Sequence, residues 1–284
     1  MVPAVSRERV GSVTPCPGVL RCAVMATVTT TDGTEIAYAS GGAGRSLVLV
    51  HGITESGAAW DPVLELLHAD WHVTNVDVRG HGESGRRSPY DAVTLAADVA
   101  AVVEARGLED PLMVGHSMGG VIVSAYAGAG YPARGVVNLD QPLALGAFKA
   151  ALEPLRPMLQ ADEASFREAV ATVFAVLDGA LPAEERTRLD GLSSPEQEVV
   201  LGVWSTVFER TADELDALAA ELLRGISVPY LAIHGSDPGV DYVAWLLGIV
   251  ANARVEVWPD AGHYPHLVDP ARFRERLDQF DGGL

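Results

Sequence analysis

Leu112-Met113-Val114-Gly115-His116-Ser117-Met118-Gly119-Gly120 is the stretch that decides the fold. A short apolar run stops at a glycine, a serine follows two residues later, and a helix-forming stretch, Val121–Ala129, continues without a break. The pattern G-x-S-x-G carries meaning only in this setting, with a strand before it and a helix after it. Glycines on either side of the serine remove β-carbons where the backbone must pass close to itself. The turn lifts the Ser117 hydroxyl above the strand end, over a helix N-terminus that offers free N–H groups and the positive end of its dipole. Ser117 is therefore a candidate nucleophile, and the Met118 N–H a candidate donor to an oxyanion.

On both sides of this stretch, strands alternate with helices. Thr27–Thr31 and Glu35–Ser40 flank Asp32-Gly33 and read as a β-hairpin, followed by a loop at Gly41–Gly44. Ser46–Val50 and His72–Val78 read as strands, with helices at Pro62–Leu67 and along Leu95, Val99 and Val102. Val136–Leu139, Tyr230–Ile233 and Arg254–Val257 are further strands, and a helix runs through Phe273–Phe280. Regular alternation of this kind predicts an α/β fold, a mostly parallel sheet covered on both faces. The rhythm breaks between residues 143 and 227, where only helical periodicity remains. Phe166, Val170, Val173, Phe174 and Leu177 form one stripe, and Val200, Val203, Trp204, Val207 and Phe208 a second. A loop of this length is not expected, so 143–227 reads as an inserted helical cap on a core of 25–142 and 228–284. Trp204 is the cap residue expected to line a substrate crevice.

Composition narrows the partners. The 284 residues carry a net charge of −18, which argues against nucleic acid or an anionic membrane as a ligand. No apolar run reaches the length of a membrane span, and a cytoplasmic location is expected. Both cysteines, Cys16 and Cys22, lie at the beginning, so a disulfide framework is not expected in the folded domain. Met25 stands directly before a credible strand, so residues 1–24 read as a disordered leader or a non-native start.

Three further sites bear on chemistry. His51-Gly52 ends a strand, and the N–H of Ile53 can converge with that of Met118 on an oxyanion; the His51 ring itself reads as structural. His263, in Gly262-His263-Tyr264-Pro265, follows the last strand and is the candidate general base, because a serine hydroxyl needs a nearby base to attack. His266 completes a His-x-x-His, but a third metal ligand is lacking, and no metal is expected. The acid that orients His263 has two main candidates at carboxyl strand ends, Asp237 and Asp140, with Asp241 a weaker third. Gly80-His81-Gly82-Glu83-Ser84-Gly85 matches G-x-G-x-x-G, but Arg86, Arg87 and Pro89 precede any helix, which excludes a dinucleotide site.

His51-Gly52, the run Asp77-x-Arg79-Gly80-His81-Gly82-x-Ser84, the Gly115–Gly119 turn and Gly262-His263 together resemble the α/β-hydrolase superfamily, over nearly all of residues 26–284. The resemblance implies a mostly parallel eight-stranded sheet flanked by helices. It also implies a triad in the chain order serine, acid, histidine, with the acid most often on the loop that carries Asp237; Asp140 lies where a minority of members keep theirs. One departure is visible: a single residue, Ser236, separates Gly235 from Asp237, where the family usually has two. The activity implied is cleavage of a carboxylic ester or related acyl bond of a small, largely apolar substrate, without a cofactor. A carbon–carbon bond hydrolase or a weakly catalytic ligand receptor is the alternative, and self-association is left open.

Overall fold

The computed structural model describes residues 9–10, 24–175 and 179–284. Leu177 of the first cap stripe lies outside them, as does the expected leader apart from 9–10 and 24.

The strands are β1 (Arg9–Val10), β2 (Val24–Thr29), β3 (Glu35–Gly42), β4 (Arg45–Val50), β5 (Trp71–Val76), β6 (Leu112–His116), β7 (Gly135–Leu139), β8 (Tyr230–His234) and β9 (Ala253–Val257). They form one sheet in the order β1-β2-β3-β5-β4-β6-β7-β8-β9. Eight strands match the expected sheet. The ninth, β1, is a two-residue edge pairing of Arg9 with Thr27 and Val10 with Ala26, so part of the expected leader uses the open edge that β2 would otherwise present. β2 and β3 are antiparallel, as the hairpin signal predicted, and β3 also runs antiparallel to β5. From β5 through β4 to β9 all pairings are parallel. One boundary needs correction. Gly41 and Gly42, expected in a loop, still pair with Val73 and His72 of β5. Gly42 has a φ of 85° and sits so close to the Trp71 carbonyl that a β-carbon would overlap it, so this glycine serves the strand rather than a turn.

Strand β4 explains why the central strands read as continuous apolar runs. Side chains alternate faces along a strand, and here both faces are covered. Leu47 and Leu49 join the core layer with Trp60, Trp71 and Phe273, while Val48 and Val50 join the opposite layer with Ile122, Tyr126 and Leu95. The covering helices are α1 (Asp61–Leu67), α2 (Ala92–Ala105) and α3 (Met118–Gly128). Between β7 and β8 the described chain forms only helices: α4 (Gly146–Leu152), α5 (Arg156–Leu159), α6 (Glu163–Phe174), α7 (Ala183–Leu192), α8 (Gln197–Glu209) and α9 (Ala212–Leu223), besides a short turn at Glu153–Leu155. α10 (Val240–Ile249), α11 (Pro265–Val268) and α12 (Pro270–Asp281) complete the chain. Among the described residues, no helix is long and apolar enough to cross a membrane.

The Asp77–Gly85 segment is a structural knot. Asp77 accepts the N–H groups of Gly57 and Glu83 at 2.7 and 2.9 Å, and Gly80 N–H closes onto Gly85 O at 3.0 Å. A β-carbon at Gly82 would overlap the Asp77 carboxylate. These glycines therefore pack a turn around a carboxylate and do not cradle a phosphate. Arg79, with a side-chain exposure of only 2%, donates two bonds of 2.7 Å to Asp98 and one of 2.7 Å to Asp32. Removing one partner of a buried pair leaves an uncompensated charge. Asp98→Ala should therefore cost about 3 kcal/mol of stability, at the low end for such pairs because Asp32 remains. Denaturant unfolding of the variant beside wild type measures it, and a loss below about 1 kcal/mol would contradict this account of the knot.

Candidate active site

Ser117 stands between β6 and α3 with φ 52° and ψ −123°, a backbone conformation that L-residues rarely adopt. Both flanking glycines are required by contact: a β-carbon at Gly115 would overlap the Gly119 carbonyl, and one at Gly119 would overlap that of Val50. The turn is held by Ser117 N–H to Leu139 O at 3.0 Å and Gly120 N–H to Ser117 O at 2.7 Å. Met118 is the first residue of α3, where an N–H has no intrahelical acceptor.

Ile53 lies in the turn after β4, which two side chains shape. His51 donates from Nδ1 to Gly52 O at 2.7 Å, and its Nε2 accepts the Val78 N–H at 3.0 Å. The ring thus joins the ends of β4 and β5, the structural part read for it in the sequence, and burial keeps its pKa below that of free imidazole. Glu55 accepts the Gly52 N–H at 2.9 Å. The helical segment docks on the loops around the site: Ser194 N–H bonds to Thr54 O at 2.9 Å, and Ala180 N–H to Asp260 O at 3.0 Å.

His263 meets a carboxylate, and that carboxylate is Asp140's: Nδ1 to Oδ2 is 2.7 Å. Asp140 follows β7 with φ 51° and also accepts the Gly235 N–H at 2.8 Å. Burial acts to raise its pKa. The hydrogen bond and charge of His263, with the Gly235 N–H and the charge of His234, outweigh burial and hold the carboxyl below the usual carboxylate range.

The expected pairing of His263 with Asp237 is corrected by this geometry. Asp237 is exposed and accepts the Gly239 N–H at 2.9 Å, a local turn bond just before α10. The cause is packing. Gly235 abuts the loop that carries His263 so closely that a β-carbon there would overlap the Gly262 carbonyl, and with one residue fewer than usual the chain has turned to the surface by position 237. Asp241 is an exposed first-turn residue of α10. Trp204 is 4% exposed and meets Phe148 edge-on at 5.8 Å, a packing position. His266 is buried against Trp60 and His116. Two buried residues near the site escaped the sequence reading, Glu55 and His116. His116 was visible only as the variable position before Ser117, and Glu55 carried no motif at all.

The strand order, the strained serine turn and the imidazole–carboxylate pair at the carboxyl ends of the strands define an α/β-hydrolase. The family model described as "Alpha/beta hydrolase family" matches residues 47–276. The chain belongs to this family and is an enzyme of the hydrolase class. It is similar to a non-heme haloperoxidase of Rhodococcus erythropolis, 33% identical over 257 residues, covering 83% of this chain and 92% of the relative. A non-heme chloroperoxidase of Streptomyces lividans is 30% identical over 278 residues, covering 87% and 97%. Among solved structures, an esterase from Rhodococcus sp. ECU1013 superposes with a TM-score of 0.73 at 28% identity, covering 90% of this chain and 98% of that one.

Proposed function

We propose that the protein hydrolyses a carboxylic ester or related acyl bond of a small, largely apolar substrate through an acyl-enzyme. The observation that carries this is the 2.7 Å bond from His263 to Asp140, on a loop that adjoins the strained turn of Ser117. In this reading Ser117 Oγ attacks the carbonyl, His263 takes its proton and returns it to the leaving group, and Asp140 fixes the imidazole tautomer and stabilises the imidazolium. The N–H groups of Ile53 and Met118 hold the oxyanion. Water then attacks the acyl-enzyme by the same route and releases the acid. The helical segment 143–227 acts as a cap over the crevice. Turnover of a short p-nitrophenyl ester, together with fluorophosphonate labelling of Ser117, tests the proposal; a pure preparation that neither turns over nor labels refutes it.

The relatives named as haloperoxidases favour a second reading of the same site, in which hydrogen peroxide replaces water at the acyl-enzyme. The peroxide oxygen takes the acyl group, and Ser117 recovers its proton through His263. A peracid leaves. Formation of peracetic acid from acetate and hydrogen peroxide measures this activity.

The depressed pKa of Asp140 keeps its carboxyl out of the acid limb of the pH profile. A carboxyl held below its usual range is already ionised where an imidazole loses its proton. The value of kcat/KM should therefore rise with pH along one limb of unit slope, reporting one proton lost. A limb of slope two would mean that Asp140 also takes up a proton over that range, contrary to the proposal.

A further inference from the structure

Beneath the proposed catalytic groups lies a pair that the mechanism above does not use. Glu55 is a carboxylate with 8% exposure in the turn after β4, and His116, immediately before Ser117, has 1%. A charge so buried is costly unless it is met by a partner, so its partners are informative. Glu55 Oε2 accepts the Gly52 N–H at 2.9 Å and lies 3.6 Å from His116 Nδ1. The other nitrogen of that ring, Nε2, is 2.8 Å from the His263 carbonyl oxygen. A carbonyl only accepts, so Nε2 carries a proton and donates it. Burial raises the Glu55 pKa, but His116, the charge of His51 and the Gly52 N–H overcome it and hold the carboxyl at about 2. The His116 ring is also wedged among His263, His266 and Tyr264, with centroids 4.7 to 4.8 Å away.

We propose that Glu55 and His116 act as one positioning unit, tying the oxyanion turn at Gly52 to the His263 loop through the residue that precedes the nucleophile. The inference rests on the roles given above to Ser117, His263 and Ile53. Three loops from three strands must hold their reacting groups in register, and a misplacement of about 1 Å can cost on the order of 10²-fold. Glu55 reaches the first loop by a backbone N–H. His116 belongs to the second and grips the backbone of the third. Neither side chain is assigned to substrate, so its loss should lower kcat and leave KM nearly unchanged.

The test is a double-mutant cycle on p-nitrophenyl ester turnover. His116→Phe keeps the packed ring but loses both nitrogens, and Glu55→Gln keeps the shape and an acceptor for Gly52 but loses the charge. Each should lower kcat about tenfold, the scale of one buried polar or ionic contact, with KM within about twofold of wild type. The double variant should fall no further than the worse single one, because the two act together. Thermal melts identify the folded variants, and near-isosteric Glu55→Gln carries the test alone if His116→Phe does not fold. A folded single variant with kcat within about twofold of wild type, or a double variant whose loss is the product of the singles, overturns the inference. Wild-type labelling at Ser117 separates the two claims. If wild type neither labels nor turns over, the proposed function fails; if it does both and the variants are unimpaired, only the positioning unit fails.

Discussion

Ser117→Ala should lose ester hydrolysis by on the order of 10⁴-fold or more while the protein stays folded. The size follows from the proposed chemistry. Without Oγ there is no acyl-enzyme, and His263 has no hydroxyl to deprotonate. What survives is the binding of substrate and the two backbone N–H groups of Ile53 and Met118, which act on water attack alone. Folding should survive because alanine has the same β-carbon and so meets the φ of 52° at a cost close to that of serine. The flanking glycines, which do require their missing β-carbons, are untouched. The comparison needs alanine enzyme free of wild type, with melting followed in parallel. Near-full activity in a folded variant would remove the nucleophile from the proposal.

Asp140→Asn should lose roughly 10⁴-fold in kcat, while Asp237→Asn stays within about twofold of wild type. The asparagine carbonyl can still accept the Gly235 N–H that Asp140 Oδ1 accepts now. That leaves the amide NH₂ facing His263 Nδ1, in place of the acceptor oxygen at 2.7 Å. An amide donor there forces Nδ1 to accept, so the proton moves to Nε2 and the ring offers Ser117 a donor where it needs a base. The imidazolium formed in the reaction also loses its carboxylate. Asp237 holds only a turn bond to Gly239 on the exposed loop, and asparagine can make the same bond. Measuring both variants on one substrate decides the matter. A large loss in Asp237→Asn with little in Asp140→Asn would return the acid to the loop after β8.

Most of the fold was legible along the chain because its signals are local. The serine turn is a strand end, two glycines and a helix start within nine residues, and each glycine is there to avoid a backbone oxygen close in sequence or in the adjoining strand. The parallel strands were legible as unbroken apolar runs because both of their faces are buried, as Leu47–Val50 illustrates. The glycine-rich run after β5 was separable from a phosphate loop because no helix opens within it. Boundaries were read less well. Gly41 and Gly42 belong to β3 because β5 is there to pair with them, which composition alone does not reveal.

The sequence by itself determined the α/β class, the serine turn and the histidine after the last strand, since each is written in a short segment whose backbone can adopt few shapes. Only the tertiary structure decided which carboxylate meets that histidine. Asp140 and His263 are 123 residues apart, on loops of different strands, and their meeting depends on where Gly235 packs against Gly262. The Glu55–His116–His263 chain was invisible for the same reason. A hydrogen bond between distant segments is set by the relative position of three strands and the lengths of the loops they carry, and no single stretch of sequence encodes that distance.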